Sequence, residues 1–465
     1  MARPLHEPGT IIDGFRLDEL VHEGGMAMLW RVSKDGLDGP MLMKVPRIGE
    51  GTDPAAIVSF EMEQMILPKL DGVHVPKFFA AGDFAHQPYL VMEAIGGVSL
   101  LKRLPDLPLP YDEVARIGVR IAEALDDLHR QHVVHLDIKP SNIMFRPTGE
   151  AVLIDFGLSH HDQLPDLMQE EFRIPFGTAP YMSPEQLRGI RNDPRSDLFA
   201  LGVLLYFFST GERPFGESET LGGMRRRLWR DPTPPRSPRS DYPPWLQEIV
   251  LRCLEVEPGR RHPTAAQLAF DLSHPDGVKL TARSEKLTRD SFATVLRRRF
   301  NTDLTATRKT PLAAQIASAP IVAVAVDVGE QGTAINGALF QVTARILATL
   351  PQARLACLNV LKTNAIALDS TLDAQGNNKT IDRLVRLKAW AAPLKLDERR
   401  LTAHVLEGTD PAAAILEFSA ANRVDHIVIG ARQDSFRRRV LGSVSAKVAT
   451  EALCTVTVVR APREV

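Results

Sequence analysis

The chain has 465 residues with 56 Lys and Arg against 57 Asp and Glu, so no global field recommends nucleic acid or an anionic membrane as a partner. That length exceeds one ordinary core and calls for about two or three domains. Three cysteines, Cys253, Cys357 and Cys454, lie far apart without CxxC spacing, which argues against a disulfide or zinc framework and fits reduced thiols in a cytoplasm.

Residues 1–10 lack the basic and then apolar layout of a secretion signal. Short alternating apolar runs follow, predicting strands over 15–20, 28–33, 41–46 and 89–93, and then helices over 57–70, 111–131 and 198–210. The densest apolar run, 198–208, falls short of the roughly 20 residues that cross a bilayer. It reads as a buried helix in a soluble, cytoplasmic protein with no membrane partner.

From 273 to 319 the pattern becomes polar and basic-leaning, with Lys279, Arg283, Lys286, Arg289 and the run 297–299, which reads as a linker. Phe292, Val295, Leu296 and Phe300 share one helical face. Two readings stand open: a short amphipathic helix docked on a neighbouring domain, or a solvated basic tether.

Between 320 and 460, strands expected over 321–327, 354–361, 401–407, 425–430 and 454–460 alternate with helices, among them 333–350 and 410–422. These strands are apolar on both faces, the mark of a parallel sheet covered on both sides.

The chemistry concentrates in HLDIKPSN at 135–142, where Asp137 can accept a hydroxyl proton, Lys139 can neutralise phosphate and Asn142 can ligate Mg²⁺. DFG follows at 155–157 and SPEQL at 183–187. In this order the motifs resemble the catalytic core of a protein kinase.

The resemblance implies an α+β bilobal kinase fold over residues 1–272, using ATP and Mg²⁺, with Mn²⁺ as the alternative ion, and acting on protein substrates. Lys44, ending MLMK, corresponds to the lysine that holds the α- and β-phosphates, and Glu63 in FEMEQ to its partner, while Glu61 points elsewhere. Asp155 would bind the metal beside Asn142. Met92 would be the gatekeeper, with Glu93 to Ile95 offering backbone groups to adenine. Glu185 and Arg261 resemble the ion pair that braces the larger lobe, and Asp197 the residue that organises the catalytic loop. The lysine of DIKPSN, with Thr178 in GTAPY, is the serine/threonine-specific version, and Lys139 and Thr178 would frame the acceptor hydroxyl. His129, His132 and His135 read as packing and loop support rather than a metal site.

Two departures stand out. The glycine-rich loop reads HEGGMAML, keeping Gly24 and Gly25 but carrying His22 and Ala27 where the family has glycine. A stiffer loop and weaker ATP affinity or slower turnover are expected. Leu136 replaces the arginine that commonly grips a phosphorylated activation loop, and residues 160–177 contain no Ser or Thr but do contain Asp162, Asp166, Glu170 and Glu171. Activity independent of activation-loop phosphorylation is expected, with control in the linker or second domain. The rival reading is a pseudokinase-type scaffold that binds ATP without useful transfer.

Residues 320–460 resemble a universal stress protein domain, most specifically from Val424 to Arg460. That implies a Rossmann-like five-stranded parallel α/β sheet in which Asp327 would meet adenine, while Gly430, Gly442, Ser443 and Ser445 would cradle phosphates. Gln433 stands where a second glycine belongs. ATP or AMP binding is weighed against a nucleotide-free packing or dimerisation module. The last strand, TVTVV, is an apolar edge through which a homodimer would form.

Overall fold

A computed structural model describes residues 6–49, 52–172, 175–216, 221–289, 291–300, 320–328, 333–363, 371–373, 378–397, 399–431 and 442–460. Side-chain alternation along Ile11–Ile12 (β1), Phe15–Glu23 (β2), Ala27–Ser33 (β3), Met41–Pro46 (β4), Phe78–Gly82 (β5) and Tyr89–Glu93 (β6) builds the first sheet, in the order β1-β2-β3-β4-β6-β5. On β4, Met41, Met43 and Val45 enter a small core with Phe15, Leu17, Trp30, Val32 and Val91. A strand reverses its faces every residue, so Lys44 is left on the opposite face.

Helix α1, Pro54–Ile66, begins at Asp53, whose carboxylate accepts the Ala55 N–H at 2.9 Å, with proline in its first turn. The larger lobe packs around Tyr111–Arg130 (α2) and Arg195–Thr210 (α4), the latter buried on nearly every side. No helix among the described residues is long and apolar enough to cross a membrane.

Short ladders order the segments between these helices. Val98–Ser99 (β7) pairs with Ile143–Phe145 (β9), which also pairs with Ala151–Leu153 (β10), while Val133–Val134 (β8) pairs with His160–His161 (β11). A five-residue helix missed by the sequence reading, Leu167–Glu171 (α3), is capped by Asp166, whose side chain accepts the Gln169 N–H. Leu221–Met224 (α5), Pro244–Cys253 (α6) and Ala265–Ser273 (α7) complete the lobe.

The start of the linker is not a solvated tether. Gln247 on α6 donates to the carbonyls of Arg283, Ser284 and Lys286 at 2.7, 3.2 and 2.9 Å, and Arg283 pairs with Glu248 and Glu255 at 3.0 and 2.9 Å. Helix α8, Phe292–Phe300, does form, but its described contact with the lobe is polar: Arg298 reaches Asp231 at 2.5 Å, while Leu296 is exposed.

The C-terminal sheet is wholly parallel. Ile321–Ala325 (β12), Arg354–Lys362 (β13), Leu401–Gly408 (β14), His426–Ala431 (β15) and Thr455–Arg460 (β16) run in the order β14-β13-β12-β15-β16. Crossover helices Thr333–Thr349 (α9), Lys379–Ala391 (α10), Pro411–Ala421 (α11) and Ser443–Glu451 (α12) cover both faces. Val322, Val324 and Cys357 pack on one side with Leu339 and Leu387, and Ala323, Ile427 and Ile429 on the other with Ile415 and Phe418. Helix α10 has no counterpart among the expected elements, because its apolar positions are interleaved with Lys379, Arg383, Arg386 and Lys388.

Candidate active site

Lys44 sits between two carboxylates, its Nζ 2.5 Å from Glu63 Oε2 and 3.0 Å from Asp155 Oδ1. Burial pushes the ammonium down, but Asp155 and Glu63 outweigh it and hold it above the usual lysine range. Lys44 in turn keeps Asp155 below the ordinary carboxylate range, while burial drives Glu63 up. The Phe156 N–H donates to the other Glu63 oxygen at 3.4 Å, so one glutamate joins strand β4, helix α1 and the DFG turn. Asp155 adopts a left-handed φ of 69°, a conformation costly for most residues and concentrated at functional sites. Gly157 meets α1 so closely that a Cβ would lie 2.2 Å from Ser59 Oγ.

The catalytic loop hangs from Asp197, which accepts the backbone N–H groups of His135 and Leu136 at 2.9 and 2.8 Å and lies 2.9 Å from His129 Nε2. Leu136, at φ 63°, also has its carbonyl held by Gln186 Nε2 at 2.7 Å. Asp137 is thereby presented to three partners. Thr178 donates to its Oδ1, Lys139 reaches its Oδ2 at 2.7 Å, and Asn142 Nδ2 donates to Oδ2 at 3.0 Å. Lys139 Nζ also lies 3.1 Å from Thr178 Oγ1. The Ile154 N–H donates to the Asn142 carbonyl at 3.0 Å, tying this network to the one around Lys44.

Glu185 and Arg261 form a two-pronged buried pair at 2.5 and 2.9 Å. Met92 is buried at the end of β6, and Glu93 and Ile95 are half-buried beyond it. Arg146, which the sequence reading missed, grips the Glu93 carboxylate, with Nη2 2.9 Å from Oε2, and this hydrogen bond lowers the acid's proton affinity. In the loop between β2 and β3, the Gly24 N–H donates to the Ala27 carbonyl at 2.9 Å, and Gly25 has open space around it. Arg47, also unforeseen, pins this loop through Glu23 at 3.0 Å and the Gly24 carbonyl at 3.3 Å. Among the described residues no group of His, Cys, Asp and Glu has metal-binding geometry. His129, His132 and His135 each have a local partner instead: Asp197, Asp162 and the Ile154 carbonyl.

The second candidate set is less concentrated. Asp327 follows β12, and its carbonyl accepts from Asn336 Nδ2 at 2.8 Å. Gly430 lies within β15, where a Cβ would meet Ile335 Cγ1 at 2.8 Å, so helix packing alone requires glycine there. Gly442 caps α12, Ser443 is its first residue, and the Ser445 hydroxyl donates to the Gly442 carbonyl at 3.1 Å. Gln433 lies outside the described residues.

Comparison with known proteins agrees with this architecture. Residues 41–271 match the protein kinase domain and residues 319–460 the universal stress protein family. The chain therefore joins a protein kinase domain to a universal stress protein domain in one polypeptide. The kinase part is similar to bacterial serine/threonine-protein kinases. Serine/threonine-protein kinase pkn3 of Myxococcus xanthus is 33% identical over 57% of this chain and 51% of its own length. For PknB of Mycolicibacterium smegmatis the figures are 29%, 62% and 47%. The chain thus spans about half the length of the curated relatives it matches. A crystal structure of the Mycobacterium tuberculosis PknI kinase domain aligns at 22% identity and a TM-score of 0.46, covering 58% of this chain and 100% of that one.

Proposed function

We propose that the chain is a cytoplasmic serine/threonine protein kinase that transfers the γ-phosphoryl group of ATP to protein hydroxyls. The observation that carries this reading is Lys44 bridging Glu63 and Asp155 at 2.5 and 3.0 Å, in a network continuous with Asp137. Phosphoryl transfer asks mainly for positioning and charge compensation. Asp137 accepts the hydroxyl proton, with Thr178 and Asn142 fixing its two oxygens. Lys44 and Lys139 place positive charge along the nucleotide and the acceptor. Backbone groups at Glu93 and Ile95, beyond the gatekeeper Met92, receive adenine.

The donor set fits Mg²⁺, or Mn²⁺ in its place. Asp155 is a charged oxygen donor held ionised by Lys44, and Asn142 commits its amide nitrogen to Asp137, while its side-chain oxygen accepts from Ser141 Oγ at 3.2 Å and retains a second lone pair for a hard cation. When bound, the ion neutralises charge on the phosphates.

Radiolabel transfer to a generic protein acceptor, compared with Asp137→Asn, tests the reading. Transfer that is lost in the variant supports it. ATP binding without transfer in the parent chain favours the pseudokinase-type scaffold, the reading to which His22 and Ala27 in the glycine loop lend weight.

For the C-terminal domain we propose ATP or AMP binding at the crevice where strand order reverses. β12 continues to β13 on one side and neighbours β15 on the other, and ligands of open α/β sheets sit at such switch points. Asp327 and the Gly442–Ser443 helix start belong to these strand ends. AMP titration of the full chain, with Asp327→Ala as control, decides it. β16 lies at the sheet edge, which supports homodimerisation through that strand. Sedimentation that stays monomeric across micromolar concentrations would refute it.

A further inference from the structure

The two domains meet where a kinase is regulated. From the C-terminal domain, Lys388 on α10 reaches Glu61 on α1, and Arg354 on β13 reaches Glu170 on α3. His404 on β14 has Nε2 3.0 Å from Glu170 Oε2 and Nδ1 2.9 Å from Glu171 Oε1. Asn422, closing α11, donates to the Glu170 carbonyl at 3.1 Å. Nothing about these contacts is peripheral. Glu61 and the His404 imidazole are buried, and Glu61 stands one position from Met62 and two from Glu63, which holds Lys44.

The contacts therefore reach the two elements whose placement completes the site: α1, which carries Glu63, and the activation segment, which leads to Thr178. The segment is also anchored inside the kinase domain. Arg191 Nε donates to Asp166 at 2.7 Å, and His160 lies 3.0 Å from the same oxygen. In a segment with no Ser or Thr from 160 to 177, Glu170 and Glu171 set carboxyl groups against Arg354 and His404, an arrangement that a phosphate and an arginine would otherwise supply.

We propose that Lys388, Arg354 and His404 are positioning residues for the kinase reaction, by which the C-terminal domain holds α1 and the activation segment in the assembled arrangement without phosphorylation. The idea rests on the kinase reading. The C-terminal domain is then an activating part of the enzyme within the same chain. Coupling runs through α1, because Glu61 and Glu63 belong to one rigid helix. Whatever the C-terminal domain binds acts on catalysis only by shifting this contact.

The test uses the full chain. Lys388 is half-exposed, so Lys388→Glu is expected to fold. It should lower kcat roughly ten-fold with little change in KM for the protein acceptor, and hydrogen exchange should quicken in residues 54–66 and 167–171. The charge swap Glu61→Lys with Lys388→Glu should restore both, which loss of a merely structural residue would not allow. His404→Gln, which keeps shape but not charge, should quicken exchange in 167–171. Unchanged exchange in both single variants, or activity that rises when the contact is broken, overturns the proposal. A parent chain that transfers no phosphate sinks the kinase reading instead, while the exchange measurements still report on the contact.

Discussion

Thr178 spends both its donors on one oxygen of Asp137: its backbone N–H lies 3.0 Å from Oδ1 and its hydroxyl 2.7 Å from it. Thr178 is thereby fastened directly to the residue proposed as proton acceptor. Asp137 can rotate only by breaking both of these hydrogen bonds as well as its contacts with Lys139 and Asn142. Thr178→Val should lower kcat about 10–100-fold, with ATP affinity nearly unchanged, while Thr178→Ser should retain most activity. Steady-state kinetics in both substrates check this, and equal losses in the two variants would count against it.

The glycine loop yields a second expectation. On the kinase reading, His22 and Ala27 add side chains where phosphates would approach, and Arg47 ties the loop down at Glu23 and the Gly24 carbonyl. Replacing both residues by glycine should lower the Michaelis constant for ATP several-fold. A constant that does not move would show that the loop is no obstacle.

Removing one member of the Glu185–Arg261 pair leaves a buried charge alone. Both side chains are almost wholly enclosed, so Arg261→Met should destabilise the larger lobe by about 3–5 kcal/mol. Urea unfolding followed by tryptophan fluorescence measures it. Arg261→Lys should recover only part of the loss, since lysine lacks the two-pronged geometry.

The contact between the domains should respond to pH. Burial alone would lower His404, but hydrogen bonds and charge from Glu170 and Glu171 raise it from 6.5 to about 9. A raised histidine contributes stability that is whole below its unfolded pKa and lost as pH climbs through the folded value. Loosening is therefore expected between pH 6.5 and about 9. The facing groups shape the acid side. Burial would raise Glu170, but His404 and Arg354 hold it below its ordinary value, so its contribution is lost on acidification, whereas burial keeps Glu171 above its ordinary value, with Glu61 adding to the rise. Protection factors for hydrogen exchange in 167–171, taken relative to the intrinsic rate at each pH, read the effect, and a flat protection profile across that range would contradict it.

What could be read from sequence follows the reach of each interaction. Asp137 and Asn142 lie five residues apart, so one loop sets their geometry, and DFG places Asp155 by its own backbone. The strands of the second domain announce themselves because both their faces are apolar. Lys388, Arg354 and His404 carried no such signal, since their partners lie 327, 184 and 233 or so positions away along the chain and a surface charge looks the same in sequence. Glu61 offered the faintest hint, an acid among buried apolar neighbours on α1. Gly430 shows the limit in the other direction, because glycine packed against a neighbouring helix looks the same in sequence as glycine that would cradle a phosphate.

Trimming the chain at the end of the kinase match would cut more than length. Such a fragment exposes Glu61, Glu170 and Glu171 to water without the bases that face them, and also discards residues 281–286, which Gln247 and Glu248 hold. On the kinase reading, inhibitor screens or substrate profiles collected on the excised piece would describe a site stripped of the contacts that residues 354, 388 and 404 make with it.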